Sequence, residues 1–339
     1  MNRDELMPEP LLEMAYGAWA AKTLAVATEL GVFTSIAEKG VLTIEELADR
    51  LGTATRPAEM LLNTCVSLGL LEKNGAIYGN SRLADEFLVK GKPSYYGDQI
   101  ILTGVNDYEV WLDIKEAILT NAPVRPNITA LTGQETTADP FTRAMHGVAV
   151  APANALADLF DLSAYGCLLD LGGGSGAYSI AMVQRYPRLK AIVFDLAQVC
   201  TVAEEFIQQM QVDSNVTTHP GDFLMDSYPP GADVALLGNV LHHRGEDTNR
   251  MFINKVYDYL PAGGMVIIVD LLLNDDKAGP LFATLFGMHM LAVSDDGKTY
   301  TEAEVRSMLT AAGFTDVGSH LCFSGRHSAV YGTKQAQAG

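Results

Sequence analysis

The run Asp170-Leu171-Gly172-Gly173-Gly174-Ser175-Gly176 follows a short apolar segment, CLLDL, and opens a helical stretch. Glycines at such a point let the backbone turn tightly and approach a ligand. The start of the helix adds N–H groups that have no intrahelical partner. Dinucleotide folds hold a pyrophosphate with the same geometry, and Gly172, Gly174 and Ala177 satisfy a loose GxGxxG/A pattern. The glycines alone therefore leave the ligand open. Asp170 shifts the balance: a carboxylate two residues before the first glycine repels a pyrophosphate and pairs with a cation such as an α-amino group. Asp195, followed by Leu196, ends the next apolar run about 20 residues on, where an acid accepts hydrogen bonds from ribose hydroxyls. Gly221-Asp222-Phe223 come near a third strand, with Asp222 suited to accept from a base's exocyclic amine and Phe223 to cover the ring. An amino-acid head, a ribose and an adenine together describe S-adenosylmethionine.

These residues need a parallel sheet to place them. CLLDL, AIVFDL, DVALLGNVL and MVIIVDLLL are buried-strand runs, separated by AYSIAMVQRYP, VCTVAEEFIQQM and TNRMFINKVYDYL. Alternation of strand and helix implies an α/β domain with a parallel sheet covered on both faces, expected over 166–339. TEAEVRSMLTAAGF and SGRHSAVYGTK add a further helix and strand. Residues 1–95 read differently. A long apolar-rich helix over Leu11–Leu30 stops at Gly31. Thr43 with Glu46 forms a capping box, and Thr55 is expected to cap RPAEMLLNTCVSLG. LLEK and AIYG then pair through Asn74-Gly75. Three helices and a β-wing make a winged helix, a scaffold that serves DNA binding or dimerisation. Its third helix offers only Arg56 as a cation, too few for phosphate contacts, so packing or dimerisation is the expectation. Between the two, 96–165 reads as a helical connector rich in aromatics and Met, with a Pro- and Thr-rich loop in NAPVRPNITALTGQETTADP.

Composition narrows the partners. Among 339 residues, 23 Lys and Arg against 41 Asp and Glu give a net charge of −18, which repels nucleic acid in the absence of a basic patch. Cys65, Cys167, Cys200 and Cys322 are scattered without a CxxC pair, which fits a reducing, cytoplasmic setting and not a disulfide framework. The start, MNRDELMPEP, lacks the pattern of a secretory signal. Apolar runs are broken by residues such as Lys22 and Asp270, so no membrane span is expected.

The chain resembles the two-domain small-molecule O-methyltransferases of caffeate, hydroxyindole and polyketide-tailoring type. LLDLGGGSGAYSIAMVQRYP, VFDLAQV, GDFL, NVLHHRGEDTNRMFINKVYDYLPAGG and YTEAEVRSMLTAAGF carry the likeness. It implies a Rossmann-like class I methyltransferase domain behind a winged-helix dimerisation domain, a homodimer, S-adenosylmethionine as cofactor and a small-molecule acceptor. Asn239 joins the expected cofactor residues. His242 falls at the position of the family's general base, while His243 and Arg244 replace its usual Asp and Trp. An imidazole with a pKa of about 6.5 can take the proton of a phenol, whose pKa is about 10, as the oxygen attacks a methyl. The resemblance makes Asp270 an acid that orients the histidine, the other reading being a strand-end cap. Asp247 is either a second acid or the cap of the following helix. It also places Met288 and His289, in FGMHMLAV, along the acceptor pocket. Sharing of a metal by His242 and His289 is disfavoured, since two histidines fall short of the three or more ligands such ions prefer. Trp111, Phe141, Met145 and His146 are the remaining acceptor candidates, with helix packing as the alternative. O-methylation of an aromatic hydroxyl leads. C-methylation of an enolisable acid, use of the cofactor in a different reaction, and a cofactor-sensing regulator are the alternatives.

Overall fold

A computed structural model of the chain describes residues 8–92, 94–125, 135–322 and 327–335. Of the loop expected over 121–140, residues 126–134 lie outside the described residues and 135–140 are helical, the first turns of a long helix. Two compact units divide the chain, 1–109 and 110–339, and the expected connector, 96–165, is shared between them.

The first unit begins with α1 (Glu9–Glu29), and Gly31, at φ +69°, makes the turn into α2 (Val32–Lys39). α3 (Ile44–Leu51) has the expected capping box: Glu46 N–H donates to Thr43 Oγ1 and Thr43 N–H to Glu46 Oε2. For α4 (Thr55–Ser67) the cap is Ala54, and Thr55 is the first helical residue. The expectation of a Thr55 cap is thus corrected by one position, since the extended conformation that defines a cap falls on Ala54. β1 (Leu71–Asn74) and β2 (Ile77–Asn80) form the antiparallel wing, extended by a bridge between Leu42 and Tyr78. Phe33, Ile36, Leu47, Leu62 and Tyr78 are its buried centre. α5 (Arg82–Phe87) and α6 (Gly97–Ile101) follow, and α6 continues as a π-helical turn, Leu102–Asp107. Leu11, Met14 and Trp19 stand exposed along α1. Among the described residues no single helix is long and apolar enough to cross a membrane.

α7 (Tyr108–Leu112) runs across the division, and the second unit continues with α8 (Ile114–Thr120) and α9 (Glu135–Leu159). Its seven-stranded sheet holds β3 (Cys167–Leu171), β4 (Lys190–Asp195), β5 (Val216–Pro220), β6 (Val234–Gly238) and β7 (Met265–Asp270), all parallel. β8 (Thr315–Leu321) and β9 (Ser328–Thr333) add an antiparallel end, in the order β5-β4-β3-β6-β7-β9-β8. Successive residues of a strand face opposite sides. Leu168, Val193, Leu236 and Ile267 pack beneath α9, α10 (Ala177–Arg185) and α11 (Ala197–Gln209). Leu169, Phe194, Leu237 and Ile268 pack on α12 (Glu246–Tyr259) and α14 (Glu302–Ala312), which explains the uninterrupted apolar runs. α13 (Leu281–Val293) packs with α7 and α8 through Val110, Ala117, Met290 and Val293.

The strand order reverses at β3. β4 and β5 lie to one side of it, β6 and β7 to the other. In such sheets the crevice beyond the C-terminal ends of the strands at the reversal is where ligands bind.

Candidate active site

Asp170 is the fourth residue of β3 and fully buried. The Ser179 hydroxyl donates to its Oδ2 at 2.7 Å, while its Oδ1 has no protein partner. Burial pushes its carboxyl up to about 7, with Ser179 opposing and the charge of Asp195 adding. Beyond it the chain turns through Gly172 (φ +69°), Gly174 (φ +55°) and Gly176 (φ +75°) into α10. Gly172 is required twice over, because a Cβ there would lie 2.7 Å from Val240 Cγ1 and 3.3 Å from the Phe223 ring. That approach brings the loops after β3, β5 and β6 to one point.

Asp195 closes β4. Its Oδ2 accepts the Gly174 N–H at 2.8 Å and its Oδ1 the Leu196 N–H at 2.7 Å. Each oxygen keeps lone pairs for a further donor. Burial pushes this carboxyl up to about 6 although both amides favour its charge, and Asp222 adds to the rise. Gly221 N–H reaches the Asp195 carbonyl at 2.9 Å, and a Cβ at Gly221 would strike the Phe194 ring. Asp222 Oδ1 accepts from Leu224 N–H, and Phe223 packs on Phe252 with ring centroids 4.9 Å apart. Lys255 of α12 donates to the carbonyls of Phe223, Leu224 and Asp226, which pins this loop.

Beyond β6, Asn239 takes a left-handed conformation, φ +57°. Its N–H donates to Val269 O at 2.7 Å and its Nδ2 to the Tyr178 hydroxyl at 3.3 Å, leaving Oδ1 buried without a protein partner. The next turn, Leu241–His243, carries His242. Its buried ring sets Nδ1 2.7 Å from Asp270 Oδ1 at the end of β7, and the His242 backbone N–H donates to Asp270 Oδ2 at 3.3 Å. Burial raises the Asp270 carboxyl, but the charge and hydrogen bond of His242 and the Leu271 amide outweigh it, so Asp270 stays below its usual range and ionised. An ionised carboxylate only accepts, so the proton sits on Nδ1 and the Nε2 lone pair is left for chemistry.

Asn249 and Tyr300 hold this turn from below. Asn249 Nδ2 donates to Leu241 O at 2.8 Å and to Arg244 O at 3.1 Å, and Tyr300 Oη donates to Arg244 O at 2.5 Å. Phe286 of α13 stands edge-on to the His242 ring at 4.8 Å, with His289 5.9 Å further along the same wall. Burial, then His242, holds His289 down at about 4; burial also holds His243 well below the usual histidine value.

The structure thus gathers Asp170, Gly172, Gly174, Asp195, Leu196, Gly221, Asp222, Phe223 and Asn239 at the C-terminal ends of β3 to β6, with the His242–Asp270 pair at the ends of β6 and β7. Asp247 is not brought to His242. It is exposed in the first turn of α12, where a carboxylate suits the helix dipole. Phe141 and Met145 are half-buried one turn apart on α9, Trp111 is half-buried in α7, and Met288 is half-buried next to His289 on α13. His146 packs between helices, the alternative given for it, and adds a polar contact. Its ring lies on Phe206 of α11, and its Nδ1 reaches Ser175 of the glycine loop. Ser179, Tyr178, Asn249, Tyr300 and Lys255 went unnoticed in the sequence. Their types carry no local signal, although Ser179 and Asn249 are polar residues on otherwise apolar helix faces. Among the described residues no three His, Cys, Asp or Glu side chains gather as metal ligands.

The donor set fits S-adenosylmethionine: an orphaned carboxylate oxygen at Asp170 and an orphaned amide oxygen at Asn239 border the glycine turn, and both accept hydrogen bonds as an ammonium requires. Comparison with known proteins agrees. The family model of the O-methyltransferase domain matches residues 117–315, and that of the O-methyltransferase dimerisation domain residues 12–90. A 3-hydroxy-5-methyl-1-naphthoate 3-O-methyltransferase of Streptomyces sahachiroi is 36% identical over 331 residues, 96% of this chain and 95% of that protein. Acetylserotonin O-methyltransferase of Bos taurus is 34% identical, covering 91% and 92%. The crystal structure of human N-acetylserotonin methyltransferase in complex with S-adenosylmethionine superposes with a TM-score of 0.89 at 28% identity, covering 99% of this chain and 100% of that one.

Proposed function

The chain belongs to the S-adenosylmethionine-dependent O-methyltransferase family, and from that premise we propose that it methylates an aromatic hydroxyl of a small metabolite with His242 as general base. Its first unit is an O-methyltransferase dimerisation domain and the enzyme is a homodimer, for which the exposed Leu11, Met14 and Trp19 of α1 offer apolar surface. The alternatives of C-methylation and of a reaction without methyl transfer are not favoured by these relatives.

In this reading Asp170 Oδ1 and Asn239 Oδ1 receive the cofactor's ammonium group, the backbone at Gly172 and Gly174 lies along its amino-acid part, and Asp195 with Leu196 binds the ribose. Asp222, beside Gly221, accepts from the adenine amine, and Phe223 covers the ring. Bound S-adenosylmethionine supplies a methyl group activated by a sulfonium. His242 does the acid–base work. Asp270 holds Nδ1–H, so Nε2 takes the hydroxyl proton and the acceptor oxygen becomes a nucleophile. No covalent enzyme intermediate is needed, and alignment of the two reactants within a dry crevice provides the main acceleration. Phe286 fixes the imidazole edge-on. Trp111, Phe141, Met145, Met288 and His289 supply the apolar and weakly polar wall for the acceptor ring. Relatives named for a hydroxynaphthoate and for acetylserotonin support an acceptor with a hydroxyl on a fused aromatic system. Free, largely buried thiols at Cys65, Cys200 and Cys322, each pushed up to about 11 by burial, suit the cytoplasm.

The observation that carries the proposal is the buried His242–Asp270 pair at the end of β6 and β7, next to the crevice at β3. The test is incubation with labelled S-adenosylmethionine and a panel of phenols, hydroxynaphthoates and hydroxyindoles, read by mass spectrometry. Label on the oxygen of at least one aromatic hydroxyl is expected. Binding of the cofactor with label only on carbon or nitrogen, or with none transferred, overturns it.

A further inference from the structure

His146 lies on α9 and touches both the glycine loop, at Ser175, and the last turn of α11, at Phe206. Its ring stacks on Phe206 of α11 with centroids 3.7 Å apart and planes 10° apart. Its Nδ1 is hydrogen-bonded to Ser175 Oγ at 2.8 Å. Ser175 is buried between Gly174, whose amide holds Asp195, and Gly176, where α10 begins. Phe206 belongs to the helix that starts just after Asp195 and Leu196. Arg143, one turn before His146, places its guanidinium 5.8 Å from the same Phe206 ring and is itself paired with Glu205 at 2.6 Å and with Asp139.

We propose that His146 is a positioning residue for the cofactor: through Ser175 and Phe206 it locks the glycine loop to the β4–α11 segment. Gly174 and Asp195 then meet the ligand in a fixed relation. The inference rests on the reading of this crevice as the S-adenosylmethionine site. Its chemistry suits the task. A neutral imidazole has one donor and one acceptor nitrogen, a serine hydroxyl complements either, and the flat ring covers a phenylalanine face. Burial holds His146 down at about 4, so its hydrogen bond does not change over the neutral range. Gly174 N–H bonds Asp195 and Gly172 N–H bonds the Phe194 carbonyl at 2.9 Å, and the α9 clamp adds a side-chain tie from the glycine loop to α11. Because the clamp touches the cofactor loop and not the His242–Asp270 pair, its loss weakens donor binding and spares the chemical step.

The test measures S-adenosylhomocysteine affinity by calorimetry, together with kcat and KM for both substrates. His146→Ala is expected to lower that affinity about ten-fold and to raise KM for S-adenosylmethionine in parallel. The kcat at saturating donor and the KM for the acceptor should stay within about three-fold. His146→Asn, whose amide nitrogen occupies the place of Nδ1, restores most of the affinity. Ser175→Ala removes the hydrogen bond but not the Phe206 stack, so it weakens binding no more than His146→Ala does, and the double variant is no weaker than His146→Ala alone. If His146→Ala does not fold, the Asn and Ser175 variants and their combination decide. Unchanged S-adenosylhomocysteine affinity in the variants, a selective rise in acceptor KM, or additive losses in the double variant overturns the proposal. Failure of the unaltered enzyme to bind S-adenosylhomocysteine would instead remove the reading of the crevice.

Discussion

The side-chain amide of Asn249 donates to two carbonyls of one turn, Leu241 at 2.8 Å and Arg244 at 3.1 Å, and so clasps the segment that carries His242. Removing it takes one donor from each carbonyl, although Leu241 O keeps the Arg244 N–H and Arg244 O keeps the Tyr300 hydroxyl, a loss of about 1 kcal/mol. Asn249→Ala should therefore lower stability by that amount in denaturant titrations and lower kcat as the turn loosens. KM for S-adenosylmethionine should stay near the parent value. An unchanged kcat would show that Tyr300, which donates to the same Arg244 carbonyl, suffices.

Loss of the base is separable from loss of the cofactor. His242→Ala should cut turnover about 10²–10⁴-fold and leave S-adenosylhomocysteine affinity within two- to three-fold in calorimetry. Asp270→Asn should also reduce kcat, since an amide no longer demands the Nδ1–H tautomer. Full turnover in either variant would dismiss the assignment.

Asp170 predicts a pH dependence. Burial pushes its carboxyl up to about 7, above the roughly 3.9 of an unfolded chain. The native state therefore holds more protons between those values, and this residue's contribution to stability declines as pH rises from about 4 to about 7. An ammonium ligand prefers the carboxylate, so S-adenosylhomocysteine should bind more tightly as pH rises from about 5.5 to about 8, with release of a proton. Calorimetry in buffers of different ionisation enthalpy reads both. Asp170→Asn should remove most of the affinity and reduce the dependence to the part that Asp195, at about 6, contributes.

Gly172→Ala meets two obstacles, a left-handed φ of +69° and a Cβ 2.7 Å from Val240. The conformation alone costs about 1–2 kcal/mol. Thermal unfolding should shift downward and cofactor affinity should fall. Gly263→Ala, with φ +83° but nothing within 4 Å, is the control that has the strain without the collision.

Four of the five parallel strands and the glycine loop were legible because their signals are local: four apolar runs, four closely spaced glycines and acids that end strands; β5, VTTHP, is too polar to read as such a run. β8 escaped notice because TDVGSHL, at the sheet edge, is too polar and mixed to read as a buried run. The partners of the site escaped for another reason. Ser179 reaches Asp170 across nine residues, but Tyr300 meets Asn249 across 51 and Asp270 meets His242 across 28. Such contacts depend on sheet order, which no single segment encodes. Asp270 was anticipated only because a resemblance supplied that order. His146 shows the limit from the other side: its place in the helix pattern was legible, but not the direction of its ring.

Asp170, His242 and Asp270 hang from β3, β6 and β7, three adjacent strands tied by backbone hydrogen bonds. The spacing between donor grip and base is therefore set by the sheet as by a ruler, in steps of about 4.8 Å. The wall proposed for the acceptor, in contrast, lies on helices α9 and α13, whose side chains are not part of that lattice. Exchange of Phe141, Met145 or Met288 can thus retune which molecule is accepted without recalibrating the reaction itself.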